Sequence, residues 1–252
     1  MSTVLYLIRH SEGCSKSVIK NIQNSDSFQE NNEKSILSVV GEEKARQLSE
    51  LEELKNIVER LRNMSPLYED FVKSIKECLT CVTHTYNGMK PLRRDEIGTV
   101  GSAFLFDELY TEAICDGIHI SKPAVKLLCK NKPKDKVILI TDALRTKFMP
   151  EGKYYELEQV IILKDGAARL EDGRLAGSVL QMNQAIRNIM EFANIDFETA
   201  VKFATENPAK NLDVFDKMGS IKENKLANLV VVDKNINVYQ TIRNGIQIYK
   251  KM

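Results

Sequence analysis

The chain has 252 residues, 43% of them hydrophobic and 28% charged, enough for one large domain or two ordinary ones around a sizeable core. Thirty-six basic side chains against thirty-five acidic give a formal charge of +1, and no basic tract is dense enough to follow a phosphate backbone, so nucleic acid is not expected as a partner. Apolar runs such as "VILI" and "LVVV" fall far short of the roughly 20 residues that cross a bilayer, and "MSTVLYLIRHSEG" lacks the features of a signal peptide, so no membrane and a cytoplasmic location are expected.

Residues 3–9, "TVLYLIR", are a β-branched and aromatic run closed by a polar, glycine-containing turn, which predicts a buried strand. The polar segment 21–35 predicts a loop. From 41 onward Ala45, Leu48, Leu51, Leu54, Ile57 and Leu61 recur at helical spacing with charges between them, an amphipathic helix or two in succession. After Pro66 the texture alternates: "LYEDFVKSIKECL" a helix, "TCVTH" a strand, "GTVGSAFLFDEL" a helix or loop, "YTEAICDGIH" a strand, "KPAVKLLCK" a helix, "DKVILITDA" a strand. That alternation is what a parallel sheet with crossover helices requires. From about 150, "YYELEQVIILKDGAARLEDGRLAGS" predicts a small strand-and-turn insertion, with "KDG" and "EDG" as turn chemistry. Two helices follow, "VLQMNQAIRNIMEFAN" and "DFETAVKFATENPAKNL", the second opened by Asp196 as N-cap with Glu198 in its first turn. "ANLVVVDKNINVYQTIRNGIQIYKK" predicts the short strands of a small β domain.

In barrels of alternating strand and helix, chemistry gathers at the carboxyl ends of the strands, and here those ends carry His84, His119 and Asp142. A lone histidine at a strand end is more often structural than a ligand, and Asp142 by itself is as good a cap as a base. Five cysteines, an odd number running from Cys14 to Cys129, argue against a disulfide framework. "CLTC" at 78–81, followed by His84, has the letters of a thiolate zinc site. Strand alternation puts Val82 and His84 on one face and Cys81 and Thr83 on the other, and no second C-x-x-C exists, so a buried reduced pair is the expectation.

Residues 67–252 resemble the carboxyl-terminal half of the N-acetylglucosamine-6-phosphate deacetylases of the amidohydrolase superfamily. The resemblance is carried by "THTYNGMKPL", "DGIHI", "ITDA", "ARLEDGRLAGSVLQMNQAIRN", "ENPAKNL" and "GSIKENKLANLVVVD", in the family's order and spacing. It implies a divalent metal, zinc or iron-like, that polarises an acetamide carbonyl and activates a water. By resemblance Asp142 is the general acid/base, His84 a metal ligand, and His119 a substrate contact. Asn87 and Gly88 match the turn whose amides help hold a sugar phosphate, and Leu175 and Ala176, in "LAGS", a loop against the sugar. Arg93 and Arg94 are open between plain surface charges and a phosphate role, which guanidinium geometry suits, while the family's basic residue falls where this chain has Asp95. The family's upstream "EGP"-like and "GHS"-like ligand motifs do not occur, so the resemblance implies that the metal partners of His84 are absent.

The beginning is similar to a different family. "LYLIRHSEG" followed by "LSVVGEEKARQLSEL" resembles the amino terminus of the histidine phosphatases, the phosphoglycerate-mutase-like superfamily, in which the residue matching His10 attacks phosphorus and that matching Arg9 clamps the phosphate. The later groups of that family are not found, so phosphatase activity at His10 is the weaker expectation. The fold expected is α/β: residues 1–57 a histidine phosphatase-like fragment, 58–213 an incomplete (β/α) barrel of the amidohydrolase type, and 214–252 small β-domain strands. Three barrel strands leave open edges, so a homo-oligomer or a marginally stable chain is expected. The functional expectations are an amino-sugar phosphate deacetylase with turnover impaired by truncation or, alternatively, a catalytically inactive remnant acting as a binding or assembly module.

Overall fold

The computed structural model describes residues 68–76, 79–156 and 159–251. The predicted strand at 3–9, the helix from 41, Arg9 and His10, and with them the phosphatase-like fragment, lie outside the described residues. The chain divides into two compact units, Met1–Thr111 and Glu112–Met252.

In the first unit, helix α1 (Tyr68–Lys76) turns Phe71 and Ile75, one helical turn apart, toward the same face. Phe71 is fully buried with Leu79, Val82, Ala103 and Leu109, and Ile75, Met89 and Phe106 pack against them. The Tyr68 ring stacks on Phe106 with centroids 5.7 Å apart. Strand β1 (Cys81–Val82) pairs in parallel with β2 (Tyr110–Ala113), Cys81 opposite Tyr110 and Val82 opposite Thr111, the parallel pairing that the alternation of elements predicts. Helix α2 (Gly98–Leu105) starts where the chain must pass close to itself. Gly98 has φ +59, and a Cβ there would stand 2.7 Å from the carbonyl oxygens of Lys90 and Pro91, so only glycine fits.

In the second unit, β2 runs into a loop, helix α3 (Lys122–Asn131) buries Val125 and Leu128, and β3 (Val137–Leu139) is buried along its length. Ile140, just past β3, donates its N–H to the Ala113 carbonyl at 3.1 Å. Strands β4 (Gly152–Glu156), β5 (Gln159–Lys164), β6 (Ala167–Leu170) and β7 (Leu175–Gly177) form an antiparallel sheet in that order, the predicted insertion. Its β5–β6 hairpin turns on Asp165 and Gly166 at φ 51 and 71, the pair of left-handed residues that a two-residue loop demands. Ile161, Leu163 and Ala168 are its core, with Leu144, Tyr154, Leu170, Ala176 and Val179 against them.

Helix α4 (Met182–Ala193) ends on Asn194 in the left-handed conformation. Helix α5 (Phe197–Ala204) is capped by Asp196, whose carboxylate accepts from Thr199 N at 2.8 Å and Thr199 Oγ1 at 2.9 Å. The second predicted helix is not continuous: Thr205, at φ −134 and ψ −70, separates α5 from α6 (Glu206–Asn211). Pro208 is the cause, since its ring would collide with the carbonyl of Ala204 in an unbroken helix. Buried Asn207 donates to the carbonyls of Lys134 and Val137 at 2.8 and 2.7 Å, tying α6 to the start of β3. Strands β8 (Leu229–Val232), β9 (Val238–Arg243) and β10 (Ile246–Lys250) form an antiparallel meander. Arg187 of α4 reaches the β8–β9 turn, donating to the carbonyls of Asn235 and Ile236 at 2.9 and 3.0 Å.

The strands that were to present the site residues are shorter than their sequence pattern. "TCVTH" stops being a strand at Val82: residues 83–88 are turn, with His84, Tyr86 and Gly88 at φ 29, 79 and 60. Alternating faces therefore extend to Val82 and not to His84. "YTEAICDGIH" leaves the strand after Ala113, and "DKVILITDA" after Leu139.

Candidate functional site

Three short constructions carry the residues singled out in the sequence. The first, in the amino-terminal unit, is the His84 turn. The His84 carbonyl accepts from Asn87 N at 2.9 Å, and His84 Nδ1 lies 3.1 Å from the Asn87 carbonyl, which can only accept. Nδ1 therefore carries the proton, and any ligand role falls to Nε2. The Asn87 amide side chain donates to the carbonyls of His84 and Thr85 at 3.4 and 3.3 Å, closing the turn on itself. With Asn87 N–H engaged within the turn, the exposed Gly88 is the position from which a backbone amide can meet an anion. Arg93 is held in a bidentate pair by Asp95, with both N–O distances 3.1 Å and both side chains well exposed. The carboxylate at 95 thus competes for the fork that a phosphate would use.

The second construction, in the carboxyl-terminal unit, surrounds His119. Asp116 Oδ2 accepts from His119 Nδ1 at 2.6 Å, and Oδ1 accepts from the backbone N–H of Ile118 and of His119, both at 2.8 Å. The two side chains retain only 6% and 11% exposure. Burial pushes the Asp116 carboxyl up, but the hydrogen bonds from His119 and the two amides outweigh it and hold the group below the usual carboxylate range. The anion fixes the tautomer, with the proton on Nδ1, and leaves His119 Nε2 as an acceptor. Upstream, Asn188 of α4 donates to the Cys115 carbonyl at 2.7 Å, fixing where the loop starts. Burial raises the Cys115 thiol far above its ordinary range, aided by neighbouring Cys129 and Asp116, and pushes Cys129 up to about 11, which favours the protonated thiol at both.

The third construction joins Asp142 to "LAGS". Asp142, exposed, lies past the end of β3 at φ 47. Its carbonyl accepts from Ser178 N at 2.8 Å, Leu144 N donates to the Ser178 carbonyl at 3.0 Å, and Ala143 bridges to Ser178 in parallel. A Cβ on Gly177, at φ +133, would meet Leu144 at 3.0 Å and the Asp142 carbonyl oxygen at 3.3 Å, so the approach of the two segments depends on glycine. Leu175 pairs with Arg169 on the edge of the four-stranded sheet, and Ala176 packs on the core of that sheet. The structure thus brings the "LAGS" segment to Asp142, Asp116 to His119, and Asn87 to His84. Neither Asp116 nor Ser178 stands out among the sequence candidates, although a carboxylate three residues before a histidine in "DGIH" is a signal that spacing alone offers.

Among the described residues no group of three or more His, Cys, Asp or Glu side chains is placed to hold a metal ion. A catalytic zinc needs about three protein ligands beside its open position, so the described donors do not fit such a site by themselves.

The elements and their connections define an amidohydrolase-type fold. The Amidohydrolase family matches residues 61–248, and the chain belongs to that family. It is 40% identical over 164 residues to an N-acetylglucosamine-6-phosphate deacetylase of Bacillus subtilis (strain 168), covering 65% of this chain and 41% of that protein. It is 39% identical over 163 residues to the corresponding deacetylase of Lysinibacillus sphaericus, covering 65% and 42%. The crystal structure of N-acetylglucosamine-6-phosphate deacetylase from Thermotoga maritima superposes with a TM-score of 0.72 at 33% identity, over 80% of this chain and 58% of that one. The chain thus matches about two fifths of the length of these curated relatives. No helix among the described residues is long and apolar enough to cross a membrane.

Proposed function

We propose that the protein is built for deacetylation of an amino-sugar phosphate, the cleavage of N-acetylglucosamine 6-phosphate to glucosamine 6-phosphate and acetate. The observation that carries this reading is the junction of Asp142 with the "LAGS" segment, since the Amidohydrolase family match over residues 61–248 includes both partners and the fold brings them into hydrogen-bond contact. An amide yields to water only if a proton leaves the attacking oxygen and another reaches the departing nitrogen. Asp142 is the group for both transfers: a carboxylate on a rigid left-handed corner, exposed enough to meet substrate. His119, its Nδ1 bound to anionic Asp116, offers Nε2 to the substrate, and Leu175 and Ala176 line the sugar.

Amidohydrolases typically depend on a divalent metal, which when bound supplies Lewis-acid activation of carbonyl and water. His84 is the candidate ligand in the described part of the chain, and one imidazole does not retain zinc against water and cellular chelators. Hydrolysis therefore rests on donors beyond the described residues, and weak metal binding with turnover at or near background is the expected behaviour of the chain alone. The absence of a three-donor group among the described residues favours one second reading, a binding module that recognises the sugar phosphate without cleaving it. Amine release from N-acetylglucosamine 6-phosphate, measured beside binding of the same compound, separates the two. Release that Asp142→Asn abolishes establishes the hydrolase; binding without release establishes the module; neither would sink both.

A further inference from the structure

We propose that Ser178 is the positioning residue for Asp142, holding its backbone in the left-handed conformation from which the carboxylate is presented. This rests on the reading of Asp142 as the proton carrier. Ser178 is 2% exposed and makes four hydrogen bonds around that corner. Its hydroxyl donates to the carbonyl of Thr141, the residue before Asp142, and accepts from Leu180 N at 3.0 Å. Its own N–H donates to the Asp142 carbonyl at 2.8 Å, and its carbonyl accepts from Leu144 N at 3.0 Å. The peptide groups before and after Asp142 are thereby fixed from one side chain and one peptide unit.

A non-glycine residue at φ 47 persists only where its surroundings over-determine it. Asp142 has no helix or ladder of its own to do so, because β3 ends at Leu139. The hydroxyl is required as such: it must donate to a carbonyl and accept from an amide at once, which alanine cannot do and threonine can. Because Ser178 directly follows Leu175, Ala176 and Gly177, strand β7, proposed to face the sugar, and the proposed proton carrier form one hydrogen-bonded piece. Seating of the sugar and placement of the carboxylate are therefore coupled.

The test uses the full chain labelled selectively at aspartate. A left-handed residue brings its amide proton close to its own Hα and gives a strong intraresidue nuclear Overhauser effect. Asp165 and Asp213, at φ 51 and 56, are internal controls that do not touch Ser178 in these bonds. In Ser178→Ala the Asp142 effect is expected to fall by about threefold or more as the corner relaxes toward negative φ, while Asp165 and Asp213 keep theirs and Ser178→Thr restores Asp142. An unchanged Asp142 signal in Ser178→Ala overturns the proposal. So does equal weakening of all three aspartates, which would mean that the serine holds the fold and not this corner. Amine release is followed in the same samples. If the wild-type chain turns over, kcat falls about tenfold in Ser178→Ala with KM nearly unchanged; if it stays at background, as expected of the chain alone, the aspartate signals by themselves decide the positioning.

Discussion

The His84 turn and the Asp142 corner are both built from residues at positive φ, yet they are held in opposite ways. The turn is closed within four residues, His84 to Asn87, by bonds of 2.9 to 3.4 Å. The corner is closed by Ser178, whose hydroxyl bonds to Thr141 across 37 positions of sequence. A local turn can re-form after losing a bond, because its ends are tethered by the chain. A corner held from a distant segment has no such tether, so the closure of the intervening loop must be met again when its bonds are lost. Substitutions at the corner should therefore cost more than equivalent ones at the turn.

The largest effect is expected at Gly177. Gly177→Val adds a Cβ 3.0 Å from the Leu144 side chain and forces a β-branched residue to φ +133, costing about 2–4 kcal/mol of unfolding free energy through strain and crowding. Asn87→Ala, the counterpart in the turn, removes two bonds of 3.3 and 3.4 Å at a half-buried site and is expected to cost less than about 1 kcal/mol. Chemical denaturation of both variants gives the comparison directly, and equal losses would break it.

Asn207→Ala probes the same contrast elsewhere in the carboxyl-terminal unit. It strips the carbonyls of Lys134 and Val137 of a buried donor, for an expected loss of about 2 kcal/mol. The Asp116 carboxyl sharpens the comparison through pH. Its folded value lies below the ordinary one, so its stabilisation is present above the ordinary carboxylate range and is lost as pH falls through the depressed folded value. Stability of the wild type should decline in that acid window, and Asp116→Asn should flatten the decline when melting is followed against pH. The smallest effect belongs to Arg93→Ala. The Arg93–Asp95 pair is exposed on both sides, so a change within about 0.5 kcal/mol is expected, while any phosphate affinity that depends on Arg93 would show separately in binding.

Much of the second unit was legible because its signals are local. Asp196 with its bond to Thr199, the "KDG" hairpin and the helices α3 and α4 each depend on neighbours in sequence. The ends of strands were not legible. "TCVTH" has the alternation of a strand through His84, but backbone at φ 29 is set by the turn that follows, which side-chain pattern does not encode. The break at Thr205 could have been anticipated from Pro208, two residues into the following helix. At the site, His84, His119 and Asp142 stood out as strand-end groups and took their roles from resemblance, which alone supplied Asn87 and Gly88. The supports did not: Ser178 acts through tertiary proximity to Thr141, and Asn188 reaches the Cys115 carbonyl from another helix. Asp116 was within reach of spacing alone.

The most direct test of the central claim, that the described residues hold the proposed proton carrier and the proposed sugar-facing strand with one candidate metal ligand and that the chain alone does not complete the metal site, is a zinc titration of the purified full chain with amine release from N-acetylglucosamine 6-phosphate followed at each point. Weak, non-stoichiometric zinc binding and turnover at or near background are expected. Stoichiometric tight binding with turnover that His84→Ala and Asp142→Asn both abolish would contradict the account, because a complete donor set would then be at work in the chain.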